Sequence, residues 1–68
     1  MGYQEMTFSV PDVSCEHCRA AITRVVERVD GVRSVDVDLE AKLVTVRGEA
    51  VEAAAVRTAI DDAGYDIA

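Results

Sequence analysis

The apolar residues of this chain switch repeatedly between a two-residue and a helical spacing, and the order of those switches leaves few folds open. In "TFSVPDV", residues 7–13, Phe8 and Val10 fall on one side and Thr7 and Ser9 on the other, the period of a half-buried strand. Pro11 ends it and opens a loop. From Cys18 the apolar positions become Ile22, Val25, Val26 and Val29, one face of a helix, with Ser14 or a neighbour available to cap its start and Asp30-Gly31 to stop it. Val35, Val37 and Leu39 then alternate with Asp36 and Asp38, and Val44 and Val46 flank Thr45. Only a short turn around residues 40–42 separates these runs, which predicts a β-hairpin. In "VEAAAVRTAIDDAG", residues 51–64, the helical period returns through Val56, Ala59, Ile60 and Ala63, with Gly64 as its stop. The remaining "YDIA" can supply a short last strand.

The predicted order is strand, helix, strand, strand, helix, strand. Two strand-helix-strand halves suit an α+β, ferredoxin-like βαββαβ fold: a four-stranded antiparallel sheet with both helices on one face. Val25, Val26, Val35, Val37, Val44, Val46 and Ile60 are expected in the core, with no further role. At 68 residues the chain is expected to be one domain, spanning residues 1–68, with no linker or repeat. A fold of that size hides only about 60% of its unfolded surface, so its stability should be modest. With one Phe, two Tyr and no Trp, the core is fine-grained and offers no deep pocket for an organic substrate or cofactor.

Seven Lys and Arg against thirteen Asp and Glu give a net charge of −6, which argues against nucleic-acid or anionic-membrane binding. A protein or ion partner fits better. There is no signal-like N-terminus and no stretch approaching the roughly 20 apolar residues of a membrane span, so no direct membrane insertion is expected and the expected compartment is the cytoplasm. No general acid, base or partnered nucleophile is identifiable, which points to a binding protein and not an enzyme.

The chemistry concentrates in "VSCEHC", residues 13–18, which holds both cysteines and the only histidine. A disulfide between Cys15 and Cys18 would be transient in a reducing compartment and would close too short a loop to stabilise much. Cys15 falls in the loop and Cys18 near the helix start, so both sulfurs point toward one small region. Exposed helix N–H groups and nearby Arg19 favour thiolate there, while Glu16 opposes it. Two thiolates make a soft site, which selects Cu(I) and Zn(II) over Mg and Ca. Four readings stand side by side. A structural zinc site normally needs four protein ligands, and beyond Cys15, Cys18 and His17 only carboxylates are on offer. A thioredoxin-like dithiol redox protein also places C-x-x-C after a strand, but that fold needs a longer chain and a later proline. Mere packing of two small thiols is the plainest reading, in a loop poorly suited to burial. Trafficking of a soft metal is the fourth, and the residues favour it.

The element order, C-x-x-C at the first loop and helix start, "DGV" after the first helix and "AGYD" before the last strand together resemble the heavy-metal-associated domain family, on its branch of free-standing bacterial copper chaperones. The resemblance covers about residues 7–68. It implies that Cys15 and Cys18 are metal ligands for Cu(I), passed on to the metal-binding domains of a copper-transporting P-type ATPase. It also implies a monomer or a copper-bridged dimer. Zn(II) binding, dithiol redox chemistry and Cu(I) storage or buffering remain as alternatives. The start at Met1 and the end just after "YDIA" lead us to expect a whole protein and not one excised ATPase domain.

Two positions depart from the family's usual G-M-x-C-x-x-C: Asp12 stands where Gly is expected and Val13 where Met is expected. Val13 is expected to fill the apolar spot beneath the loop. Asp12 is expected to be solvated, though its hard oxygen leaves some room for Zn(II). By the same resemblance His17 tunes the thiols or joins metal clusters, and Tyr65 lies in the loop beside the site, either shielding the metal or packing at the edge.

Overall fold

The computed structural model describes residues 3–67. Its elements run β1 (Tyr3–Ser9), α1 (Glu16–Glu27), β2 (Val32–Asp38), β3 (Leu43–Glu49) and α2 (Ala53–Asp62). The strands form one antiparallel sheet in the order β1-β3-β2. Phe8 faces Val44 and Val37 faces the same residue from the other side, so alternate positions line one sheet face. On that face Phe8, Val37, Val44 and Val46 join Ile22 and Val26 of α1 and Val56 and Ile60 of α2 in a single buried cluster. The opposite face carries the Glu5–Arg47 ion pair at 2.7 Å and the Thr7–Thr45 pair. Both helices therefore cover one side of the sheet, as the alternating pattern requires.

The expected fourth strand is not formed over residues 65–67, and Ala68 lies outside the described residues. The backbone groups that a ladder would use are taken locally. The Tyr65 N–H donates to the Ile60 carbonyl at 3.3 Å, finishing α2, and the Asp66 N–H donates to the Asp12 carboxylate at 3.4 Å. So few residues, held from both ends, leave no run that pairs with the free edge of β1.

Other boundaries move for identifiable reasons. β1 starts well before Thr7, because Met6 continues the inward alternation and Gln4 accepts a hydrogen bond from the Val51 N–H at 2.7 Å. β2 stops at Asp38 and leaves Leu39 in the turn: the Asp38 carboxylate accepts from the N–H groups of Glu40 and Ala41, both at 3.0 Å, which folds the chain out of the strand. α1 ends at Glu27, before Asp30-Gly31, with Gly31 at φ +90. There β2 and β3 approach so closely that a Cβ on Gly48 would overlap the Gly31 carbonyl oxygen. The register shifts between Val32 and Ser34 next to that contact, a bulge that bends the edge strand. Val25 and Val35, expected in the core, are half-buried, because they sit at the margins of α1 and of the edge strand β2.

Candidate metal centre

The segment between β1 and α1 is built on two buried valines. Val10 and Val13 are both 0% exposed, and the Val13 N–H donates to the Val10 carbonyl at 3.1 Å, closing a β-turn with Pro11 and Asp12 at its exposed corner. Val13 thus fills the apolar space beneath the loop. Past this anchor the chain emerges at Ser14 and Cys15 and enters α1 at Glu16.

Cys15 is the N-cap of α1, with extended backbone (φ −152, ψ 170) and no side-chain capping bond. The N-cap is thus the neighbour of Ser14 and not Ser14 itself, and the Cys15 sulfur stays exposed and uncommitted to the helix N–H groups. Cys18 lies in the first turn of α1, half-buried, with its side chain against the core. The two sulfurs are 3.5 Å apart, and the Cys15 thiol donates to the Cys18 sulfur. Both thiols are free, since a disulfide would bring them to about 2.05 Å. Two sulfurs sharing one soft ion at about 2.3 Å each must lie within about 4.6 Å of one another, and this pair does.

Tyr65 comes from the segment after α2, half-buried against the core, and its hydroxyl hydrogen-bonds the Cys18 sulfur. That bond is the largest reason why the Cys18 thiol falls from its ordinary 9.0 to about 7; the Ser14 backbone and the Cys15 side chain add to it, against some desolvation. The same bond raises Tyr65, since an ionised phenolate could not donate it. Arg19, expected to favour thiolate, forms an i,i+3 ion pair with Glu16 instead and does not contribute to the shift.

His17 is exposed on α1, and among the described residues no three His, Cys, Asp or Glu side chains converge as a ligand cluster. Asp12 is exposed and turned toward the Asp66 backbone. Of the residues singled out from the sequence, the fold brings Cys15, Cys18 and Tyr65 together, and leaves His17 and Asp12 outside that group. One contributor had no sequence signal beyond its place in a turn: Lys42, whose ammonium donates to the Val13 carbonyl at 3.0 Å.

Residues 7–66 match the heavy-metal-associated domain family. A curated relative, "Copper chaperone CopZ" of Bacillus subtilis (strain 168), is 40% identical over 67 residues, covering 96% of this chain and 97% of its own. Among solved structures, "CopZ metallochaperone" superposes with a TM-score of 0.91 at 34% identity, covering 96% of this chain and 100% of that one. The apo-CopP solution structure from Helicobacter pylori superposes with a TM-score of 0.87 at 33% identity, with 96% and 100% covered.

Proposed function

Because the chain belongs to the heavy-metal-associated domain family, we propose that it is a copper chaperone that holds Cu(I) on the Cys15 and Cys18 sulfurs and delivers it by ligand exchange to the metal-binding domains of a copper-transporting P-type ATPase. The observation that carries this reading is the sulfur pair itself: two free thiols 3.5 Å apart at an exposed loop, with no third ligand converging among the described residues. Cu(I) is satisfied by two soft sulfurs, whereas structural zinc asks for four ligands. The name borne by the Bacillus subtilis relative supports the same cargo.

The residues divide the work. Cys15, the exposed member, is the sulfur that an incoming thiolate reaches first. Cys18, with its thiol at about 7, is substantially thiolate at neutral pH and gives up little proton on taking the metal. Tyr65 donates to that thiolate and covers the core side of the pair. During transfer the ion is shared by sulfurs from both proteins; a partner thiolate adds as one of this pair leaves, and copper stays Cu(I) throughout. No redox step is involved, so the protein acts by binding and delivery, not as an enzyme.

Both thiols must stay reduced for this role, which fits the cytoplasm. Among the described residues no helix is long and apolar enough to cross a membrane. Native mass spectrometry of reduced protein loaded with Cu(I), with Zn(II) or with neither tests the cargo. One retained Cu(I) per chain, or per pair of chains, is the expected result. Retention of Zn(II) in preference to Cu(I) would sink the copper assignment.

A further inference from the structure

We propose that Lys42 is a positioning residue for the metal loop: it grips the 10–13 turn at both ends and so fixes the place from which Cys15 is presented. The grip uses backbone and side chain together. The Val10 N–H donates to the Lys42 carbonyl at 2.9 Å, and the Lys42 ammonium, partly buried, donates to the Val13 carbonyl at 3.0 Å. Between these two contacts the turn is closed by its own Val13-to-Val10 bond, and both valines are fully buried. A single residue of the β2–β3 turn, 29 positions along the chain, thus holds the segment that runs directly into Ser14 and Cys15.

The backbone of Lys42 points the same way. Its φ is +58, in the left-handed region that glycine enters freely and a residue with a Cβ enters at a cost. A hairpin turn alone would be served better by glycine there. What lysine adds is reach: four methylenes and an ammonium that end on the Val13 carbonyl. Strain kept at a residue whose side chain supports a site is the pattern expected where the side chain has a task. Lys42 touches neither sulfur, so its effect is on the loop: a loop already ordered in the metal-free protein loses less freedom when the ion binds.

This inference rests on Cys15 and Cys18 being the Cu(I) ligands, and its test has one arm that does not. In metal-free protein, amide hydrogen exchange at Ser14 and Cys15 should quicken in Lys42→Met and return toward the parent in Lys42→Arg, which keeps a charged donor. In chelator competition, Lys42→Met should bind Cu(I) about tenfold more weakly, the low end of what removing an outer support of a metal site costs, and Lys42→Arg should recover most of it. Lys42→Gly separates positioning from general stability: relief of the left-handed backbone offsets the lost hydrogen bond to Val13, so its thermal midpoint should stay close to the parent's while its Cu(I) affinity falls. Unchanged loop exchange in Lys42→Met overturns the proposal whatever the cysteines bind. So does a Lys42→Gly variant that binds Cu(I) as tightly as the parent.

Discussion

The Asp12 carboxylate accepts a hydrogen bond from the Asp66 N–H at 3.4 Å, which ties the loop before Cys15 to the segment that carries Tyr65. Asp12 therefore acts on structure at this site and is not aimed at the sulfurs. Asp12→Gly should leave Cu(I) affinity nearly unchanged while amide exchange at Asp66 quickens. A variant that loses most of its copper would make Asp12 a ligand and weaken the two-sulfur assignment.

The Tyr65 hydroxyl is the largest of the influences that lower the Cys18 thiol to about 7, so Tyr65→Phe should raise it part of the way toward the ordinary 9.0. Thiolate ultraviolet absorbance against pH measures this directly. A thiol lowered by folding contributes stability that is fully present above its unfolded value of 9.0 and is lost as pH falls through about 7. The metal-free parent should thus lose part of its stability between pH 9 and pH 7, and Tyr65→Phe should flatten that slope. Tyr65 itself, raised above its ordinary 10.0, contributes stability below that value and loses it at higher pH, outside this window. Identical titrations for parent and variant would remove Tyr65 from the site.

At the bulge, Gly48→Ala should destabilise the protein by about 1–3 kcal/mol, the range for forcing added volume into a filled space, because its Cβ would overlap the Gly31 carbonyl oxygen. The folded fraction should still bind Cu(I) normally, since this contact is remote in the fold from the 10–18 segment. Urea denaturation of the metal-free protein, with chelator competition at low denaturant, reads both.

Arg19, Arg24 and Arg28 against Glu16 and Glu27 give residues 15–29 a local charge of +1 on a chain of −6, and all five side chains are exposed. A partner that takes the metal must dock on the face presenting Cys15, where charge governs encounter rate more than affinity. Arg19→Glu should slow Cu(I) transfer to a copper ATPase domain at low salt, and the difference should shrink as the Debye length falls to about 8 Å at physiological ionic strength. Equal rates at low salt would end the steering idea without touching the metal site. The Glu16 pair already engages Arg19, so the expected effect of this residue alone is modest.

Much of this molecule was legible in its apolar periods. Ile22 and Val26, Val44 and Val46, Val56 and Ile60 are buried where the helical and alternating spacings put them. The pairing of Cys15 with Cys18 followed from a three-residue spacing across a loop and a helix start. What escaped was decided by contacts between distant segments. No local pattern announces that Lys42 reaches the Val13 carbonyl, or that Asp66 spends its N–H on Asp12 in place of a strand partner. The cap expected from Ser14 or a neighbour fell to the neighbour: Cys15 is the N-cap of α1, but its side chain makes no capping bond. Charge proximity in sequence also misled, because Arg19 turned to Glu16 and the Cys18 thiol was lowered from the far end of the chain by Tyr65.

The most direct test is Cu(I) competition against a chelator for the parent, Cys15→Ser and Cys18→Ser, with circular dichroism of each metal-free protein. A two-sulfur site cannot lose either ligand, so both variants should give up Cu(I) that the parent retains. Both should keep the parent's fold, because Cys15 is exposed and Cys18 only borders the buried cluster. A folded variant that holds copper as tightly as the parent would contradict the assignment and place the metal elsewhere.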